Sequence, residues 1–90
     1  MLNTLESLFN LARERKITPV DGSYTNKLLN DKSLNKEKLL EEINELIEAV
    51  ENDTNKIHEA ADVFYHLAMY IEANEIKIED VMEELNKRKK

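Results

Sequence analysis

Four acidic side chains are placed where they can do chemistry together. Glu42 and Glu45 sit in one apolar-patterned stretch, and Glu59 and Asp62 sit in another. The second stretch is apolar at nearly every other position, from Ile57 through Ala60, Ala61, Val63, Phe64 and Tyr65 to Leu67, Ala68, Met69, Tyr70 and Ile71. A helix of that composition is expected to be buried on most sides. Glu59, Asp62 and His66 nevertheless fall on one stripe at i, i+3 and i+7, with no Lys or Arg beside them. Burying an uncompensated carboxylate costs several kcal/mol, against a total stability of about 5–15 kcal/mol for a domain. Protonation, a salt bridge from another helix or a metal ion can offset that cost. If a hairpin sets Glu42 and Glu45 opposite Glu59 and Asp62, like charges repel and a divalent cation becomes the attractive answer.

An all-carboxylate ligand set selects Mg2+, with Mn2+ an acceptable substitute, over zinc, which prefers His and Cys. Ions held this way bind polyphosphate oxygens and lower the pKa of an attacking water, so the chemistry expected is phosphoanhydride hydrolysis. One carboxylate would serve as general base. His66 reads as a packed or supporting histidine, and His58, on another face, as an exposed or capping residue. No Gly-rich phosphate loop or GK[ST] run is present, which excludes the P-loop machinery.

Two long helices must carry these acids. In Lys36 to about Glu51, Leu39, Leu40, Ile43, Leu46, Ile47 and Val50 fill one arc, and Lys38, Glu42, Glu45 and Ala49 form a flanking stripe, with Glu41 further round. Asn52, Asp53 and Thr54 read as a tight break that caps the next helix, Asn55 to about Ala73. Short connections favour antiparallel neighbours, hence a helical hairpin. Upstream, Leu2, Leu5, Leu8, Phe9 and Ala12 predict a helix from Leu2 to about Arg15, ended by the loop signals Pro19 and Gly22. Ser23 to Leu29 reads as a short ordered segment and Asn30 to Asn35 as a polar connection. A last helix is expected from Lys77 or Ile78 through Val81, Met82 and Leu85 to a basic end, Lys87 to Lys90. The expected fold is all-α: one compact domain over 1–90 with four main helices.

The 90-residue chain has one Gly, one Pro and no Cys, which favours helix and removes disulfides, thiolate metal sites and cysteine nucleophiles. A chain this short buries only about 60% of its unfolded surface, so a second copy is expected to complete it as a homodimer. A net charge of -6 argues against binding duplex nucleic acid, and any phosphate ligand needs a cation bridge. No apolar run approaches the ~20 residues of a membrane span, and Met1 to Arg15 lacks the basic start and apolar centre of a signal peptide. The cytoplasm is the expected compartment.

Glu41-Glu42-Ile43-Asn44-Glu45, followed after Leu46 to His58 by Glu59-Ala60-Ala61-Asp62, resembles the EExxE and ExxD signature of the all-α, MazG-like nucleotide pyrophosphohydrolases. Within that superfamily, three stretches resemble the phosphoribosyl-ATP pyrophosphatases of histidine biosynthesis. They are Gly22-Ser23-Tyr24-Thr25 with Lys27-Leu28-Leu29; Glu59 to Leu67; and Ile78-Glu79-Asp80-Val81 with Glu83-Glu84-Leu85. The resemblance implies Mg2+-dependent hydrolysis of phosphoribosyl-ATP to phosphoribosyl-AMP and pyrophosphate by a cytoplasmic helical homodimer. It assigns metal binding to Glu42, Glu45, Glu59 and Asp62, and gives Glu41 the first acid of the motif. It suggests Lys27 and Lys38 as phosphate contacts and places Ser23, Tyr24 and Thr25 in the substrate-binding segment. Leu40 stands where many members have Gly, and Lys77 where a capping Ser is common.

Two other readings compete. A house-cleaning pyrophosphatase for other nucleoside triphosphates would use the same four acids with different base and sugar contacts. A non-catalytic dimerisation module would use the acids for intersubunit salt bridges, but Leu or Ala would serve an interface better than Glu59 and Asp62. Ser23 also has a plain structural reading as a helix cap, and Tyr24 as packing over the core edge.

Overall fold

The computed structural model describes residues 2–89, which form five helices: α1 (Asn3–Ile17), α2 (Tyr24–Asn30), α3 (Lys32–Asn52), α4 (Lys56–Ala73) and α5 (Ile78–Arg88). No strand occurs among the described residues, so the all-α expectation holds as four main helices and the short α2. Lys90, the end of the expected basic tail, lies outside the described residues.

The apolar spacing of α1 turns Phe9 and Ala12 into the core, with Leu5 and Leu8 packed against them. The helix runs to Ile17 and stops ahead of Pro19, whose ring disfavours helical backbone in the residue before it. Gly22 then takes φ 76°, a left-handed conformation open to glycine at little cost. Asn26 pins this loop: its Oδ1 accepts from the Val20 N–H at 2.9 Å, and its Nδ2 donates to the Arg15 carbonyl at 2.8 Å.

The expected connection from Asn30 to Asn35 is corrected to a single residue. Asp31 terminates α2 and, through its carboxylate, accepts the Leu34 N–H at 3.0 Å, so α3 starts at Lys32. Asn35 is thereby drawn into the interior. It is fully buried, and its Nδ2 donates to the carbonyls of Leu28 (3.2 Å) and Met69 (3.1 Å), tying α2, α3 and α4 together.

The α3–α4 turn is as short as expected, but the cap differs. Asp53 and Asn55 both adopt left-handed backbone, at φ 54° and 41°, a conformation that Asp and Asn tolerate better than most residues. Asn55 occupies the cap position without a side-chain hydrogen bond, and Lys56 pairs with Asp53 across the turn. These two helices share the largest interface in the molecule, while α4 also packs on α1 and α2.

The core is built around Phe9, Ala12, Leu28, Leu29, Ala68, Met69 and Ala73. Burial of α4 on most sides is corrected within the single chain: Ile57, Phe64 and Leu67 are exposed, as are Leu40, Ile43, Ile47 and Val50 on α3. The core occupies one side of the hairpin only. α5 buries no residue completely and is fastened by Arg13, whose guanidinium bonds Glu72 at 2.7 Å and Glu79 at 2.6 and 2.7 Å. That contact lowers the Glu79 carboxyl to about 2, chiefly through the hydrogen bonds from Arg13. Lys77, at the position of the expected cap, makes no capping bond to α5.

Candidate active site

Antiparallel packing of α3 on α4 brings the four predicted acids into one row. Carboxylate oxygens of Glu42, Glu45 and Glu59 lie within 4.8 Å of one another, and ligand atoms of His58, Glu59 and Asp62 form a second group within the same limit. Glu59 belongs to both groups, so the row is continuous across the hairpin. The i, i+3 spacing on each helix makes this possible, because residues three apart stand on the same face.

Nothing cationic from Lys or Arg neutralises the row: among the described residues, none of their ion pairs involves these four acids. One oxygen of Glu42 and one of Glu59 are buried with no hydrogen-bond partner. Burial, followed by repulsion from Glu45 and then Asp62 and Glu59, pushes the Glu42 carboxyl up to about 7. Burial and contact with Glu45 also raise Glu59. Orphaned carboxylate oxygens crowded within a few ångströms are what a divalent ion relieves, and the all-oxygen acid set suits Mg2+ or Mn2+. The donors therefore fit such an ion.

The remaining predicted residues divide. Glu41 belongs to neither group and pairs with Lys38 at 3.3 Å, which raises the Lys38 pKa. Lys38 stays accessible one turn before Glu42. Lys27 is exposed and, with Ser23 and Tyr24, lines an open cavity of about 500 Å3 formed by the loop before α2 and by α2 itself. Ser23 takes the capping role, its Oγ accepting the Asn26 N–H at 3.3 Å and an Arg15 N–H at 2.8 Å. Thr25 is buried, and its hydroxyl bonds that of Tyr65. Tyr24 remains 44% exposed while its hydroxyl lies 3.0 Å from His66 Nε2.

Of the two histidines, His66 is packed as expected, and the expectation of His58 on another face is corrected. His58 is exposed, yet its Nε2 lies 3.3 Å from an Asp62 oxygen, at the end of the acidic row. His66 is buried, with Nδ1 2.8 Å from the Asp62 carbonyl and Nε2 against Tyr24. The i, i+4 spacing of His58 and Asp62 was the available signal for the correction. The place of His66 depends on a contact with α2 that periodicity does not encode.

Comparison with known proteins agrees with this geometry. The family model described as phosphoribosyl-ATP pyrophosphohydrolase matches residues 2–89. The chain is 38% identical to a phosphoribosyl-ATP pyrophosphatase of Clostridium botulinum, over 97% of this chain and 82% of that protein. It is 37% identical to one of Methanocella arvoryzae, over 100% of both chains. It is also 38% identical to the histidine biosynthesis bifunctional protein HisIE of Pyrococcus furiosus, over 99% of this chain and 43% of that protein. With the helical fold and the acidic row in place, the chain belongs to the phosphoribosyl-ATP pyrophosphohydrolase family.

Proposed function

We propose that this protein hydrolyses phosphoribosyl-ATP to phosphoribosyl-AMP and pyrophosphate in histidine biosynthesis, as a Mg2+-dependent homodimer in the cytoplasm. The observation that carries the reading is the row of Glu42, Glu45, Glu59 and Asp62, which no Lys or Arg neutralises among the described residues and in which two buried oxygens lack partners. The family and the names of its members supply the substrate.

Glu42, Glu45, Glu59 and Asp62 are the residues that would hold the ion. Bound there, Mg2+, or Mn2+ in its place, would draw in the polyphosphate oxygens and acidify an attacking water. The four acids fix where the polyphosphate lies, and a carboxylate oxygen of the row accepts the proton that water releases. Lys38, next along the stripe, contributes positive charge for a phosphate, and Lys27 does so from α2. Two exposed apolar stripes support the dimer: Leu40, Ile43, Ile47 and Val50 on α3, and Ile57, Phe64 and Leu67 on α4. Among the described residues, no helix is long and apolar enough to cross a membrane.

The test is pyrophosphate release from phosphoribosyl-ATP with Mg2+ and then with chelator, beside a panel of deoxynucleoside triphosphates. Metal-dependent release from phosphoribosyl-ATP alone is expected. Release only from the panel would transfer the site to house-cleaning hydrolysis, and no release from either would refute the enzymatic reading.

A further inference from the structure

His66 is 6% exposed, and its Nδ1 faces a backbone carbonyl, that of Asp62, at 2.8 Å. A carbonyl only accepts, so Nδ1 carries a proton, and in that tautomer Nε2 presents a lone pair. The group opposite Nε2, at 3.0 Å, is the Tyr24 hydroxyl, which must therefore donate. The Tyr24 proton is committed inward and is not offered to a phosphate.

What Tyr24 still offers is its ring. The ring runs nearly parallel to that of Tyr65, at 14° with centroids 6.3 Å apart, and meets the His66 ring edge to face at 71°. Tyr24 stays 44% exposed although its hydroxyl is bonded to His66 and Tyr65 lies alongside. It borders the cavity of about 500 Å3, whose other walls include Pro19, Val20, Lys27 and Asn30. The volume is within the range of small-molecule sites, and the walls combine the apolar surfaces of Pro19, Val20 and Tyr24 with polar groups of Asp21, Lys27 and Asn30 that can hydrogen-bond the edge of a flat heterocycle. From the cavity, two hydrogen bonds through His66 lead to Asp62 and the acidic row.

We propose that Tyr24 stacks on the purine base of the substrate at the mouth of this cavity, and that His66 is the positioning residue that holds the ring in place by accepting its hydroxyl proton. The proposal rests on a nucleotide substrate, as in the preceding reading, and specifies which part of it meets α2. The polyphosphate belongs to the acids on α3 and α4, and the base to the loop and α2.

The test measures equilibrium binding of AMP and, separately, of pyrophosphate with Mg2+, to the wild type, Tyr24→Leu and Tyr24→Phe, with helicity checked by circular dichroism. Loss of one base–aromatic stack should weaken AMP about tenfold in Tyr24→Leu. Tyr24→Phe, which keeps the ring, should weaken it less than threefold, and pyrophosphate binding should follow neither change. In turnover, His66→Leu should raise KM more than it lowers kcat, and His66→Gln, whose side-chain carbonyl can accept the phenolic proton, should restore KM. Equal AMP affinity in wild type and Tyr24→Leu would overturn the proposal. So would equal losses in the Phe and Leu variants, which would make the hydroxyl the contact. If AMP binding behaves as expected but phosphoribosyl-ATP is not cleaved, the proposed reaction fails and the base site stands; cleavage with Tyr24-independent AMP binding fails the base site alone.

Discussion

Replacing Glu42 by Gln should make the metal-free protein more heat-stable at alkaline pH while removing its activity. Glu42 titrates near 7 in the fold instead of 4.5, because burial and the neighbouring acids penalise its charge. The folded state thus binds this proton more tightly than the unfolded chain. Its contribution to stability is complete below about pH 4.5 and is lost as pH rises through 7. The full shift corresponds to ~3 kcal/mol, and solvent screening at this partly exposed position reduces it to about 1–2 kcal/mol. For a domain of this size that gain is worth about 5–10 °C in Tm. Thermal unfolding in chelator, at one protein concentration, should show Glu42→Gln above wild type by that amount at pH 8.5 and near it at pH 5. Mg2+ should raise the wild-type Tm more than that of the variant. An equal change at both pH values, or a lower Tm at pH 8.5, would refute the electrostatic reasoning.

Three further outcomes are expected. Asp62→Asn should abolish pyrophosphate release while leaving the helical circular dichroism spectrum intact; retained turnover would remove Asp62 from the site. Asn35→Ala, which deletes two buried hydrogen bonds across three helices, should cost ~2–3 kcal/mol in urea unfolding. Ile47→Glu, on the exposed stripe of α3, should convert a dimer to monomer in sedimentation at micromolar concentration; a wild-type monomer would remove the dimer itself.

The acids were legible because helical periodicity alone decides which faces Glu42, Glu45, Glu59 and Asp62 share, and a three-residue turn leaves α3 and α4 little choice but to pair. The start of α3 was not legible. Asp31 ends one helix and caps the next, and a polar run from Asn30 to Asn35 looks like a loop unless the carbonyls that bury Asn35 are known. Asn26 was opaque for the same reason, as was the Tyr24 contact of the otherwise expected packed His66, since a buried polar side chain is stabilised by partners far away in the chain. Ser23 illustrates the reverse: its spacing fitted both a cap and a substrate contact, and its hydroxyl oxygen accepts hydrogen bonds from Asn26 and Arg15.

The hairpin turn at Asp53 to Asn55 also bears on how the chain folds. Helices joined by so short a connection meet early, because little loop entropy is lost in closing them. Closing this hairpin is also the step that crowds four carboxylates together. The folding barrier is therefore expected to contain the same repulsion as the native site, and a divalent ion that enters during closure would speed folding as well as stabilise its product. Metal capture and chain collapse would then be one kinetic event, with the site assembled as the fold is.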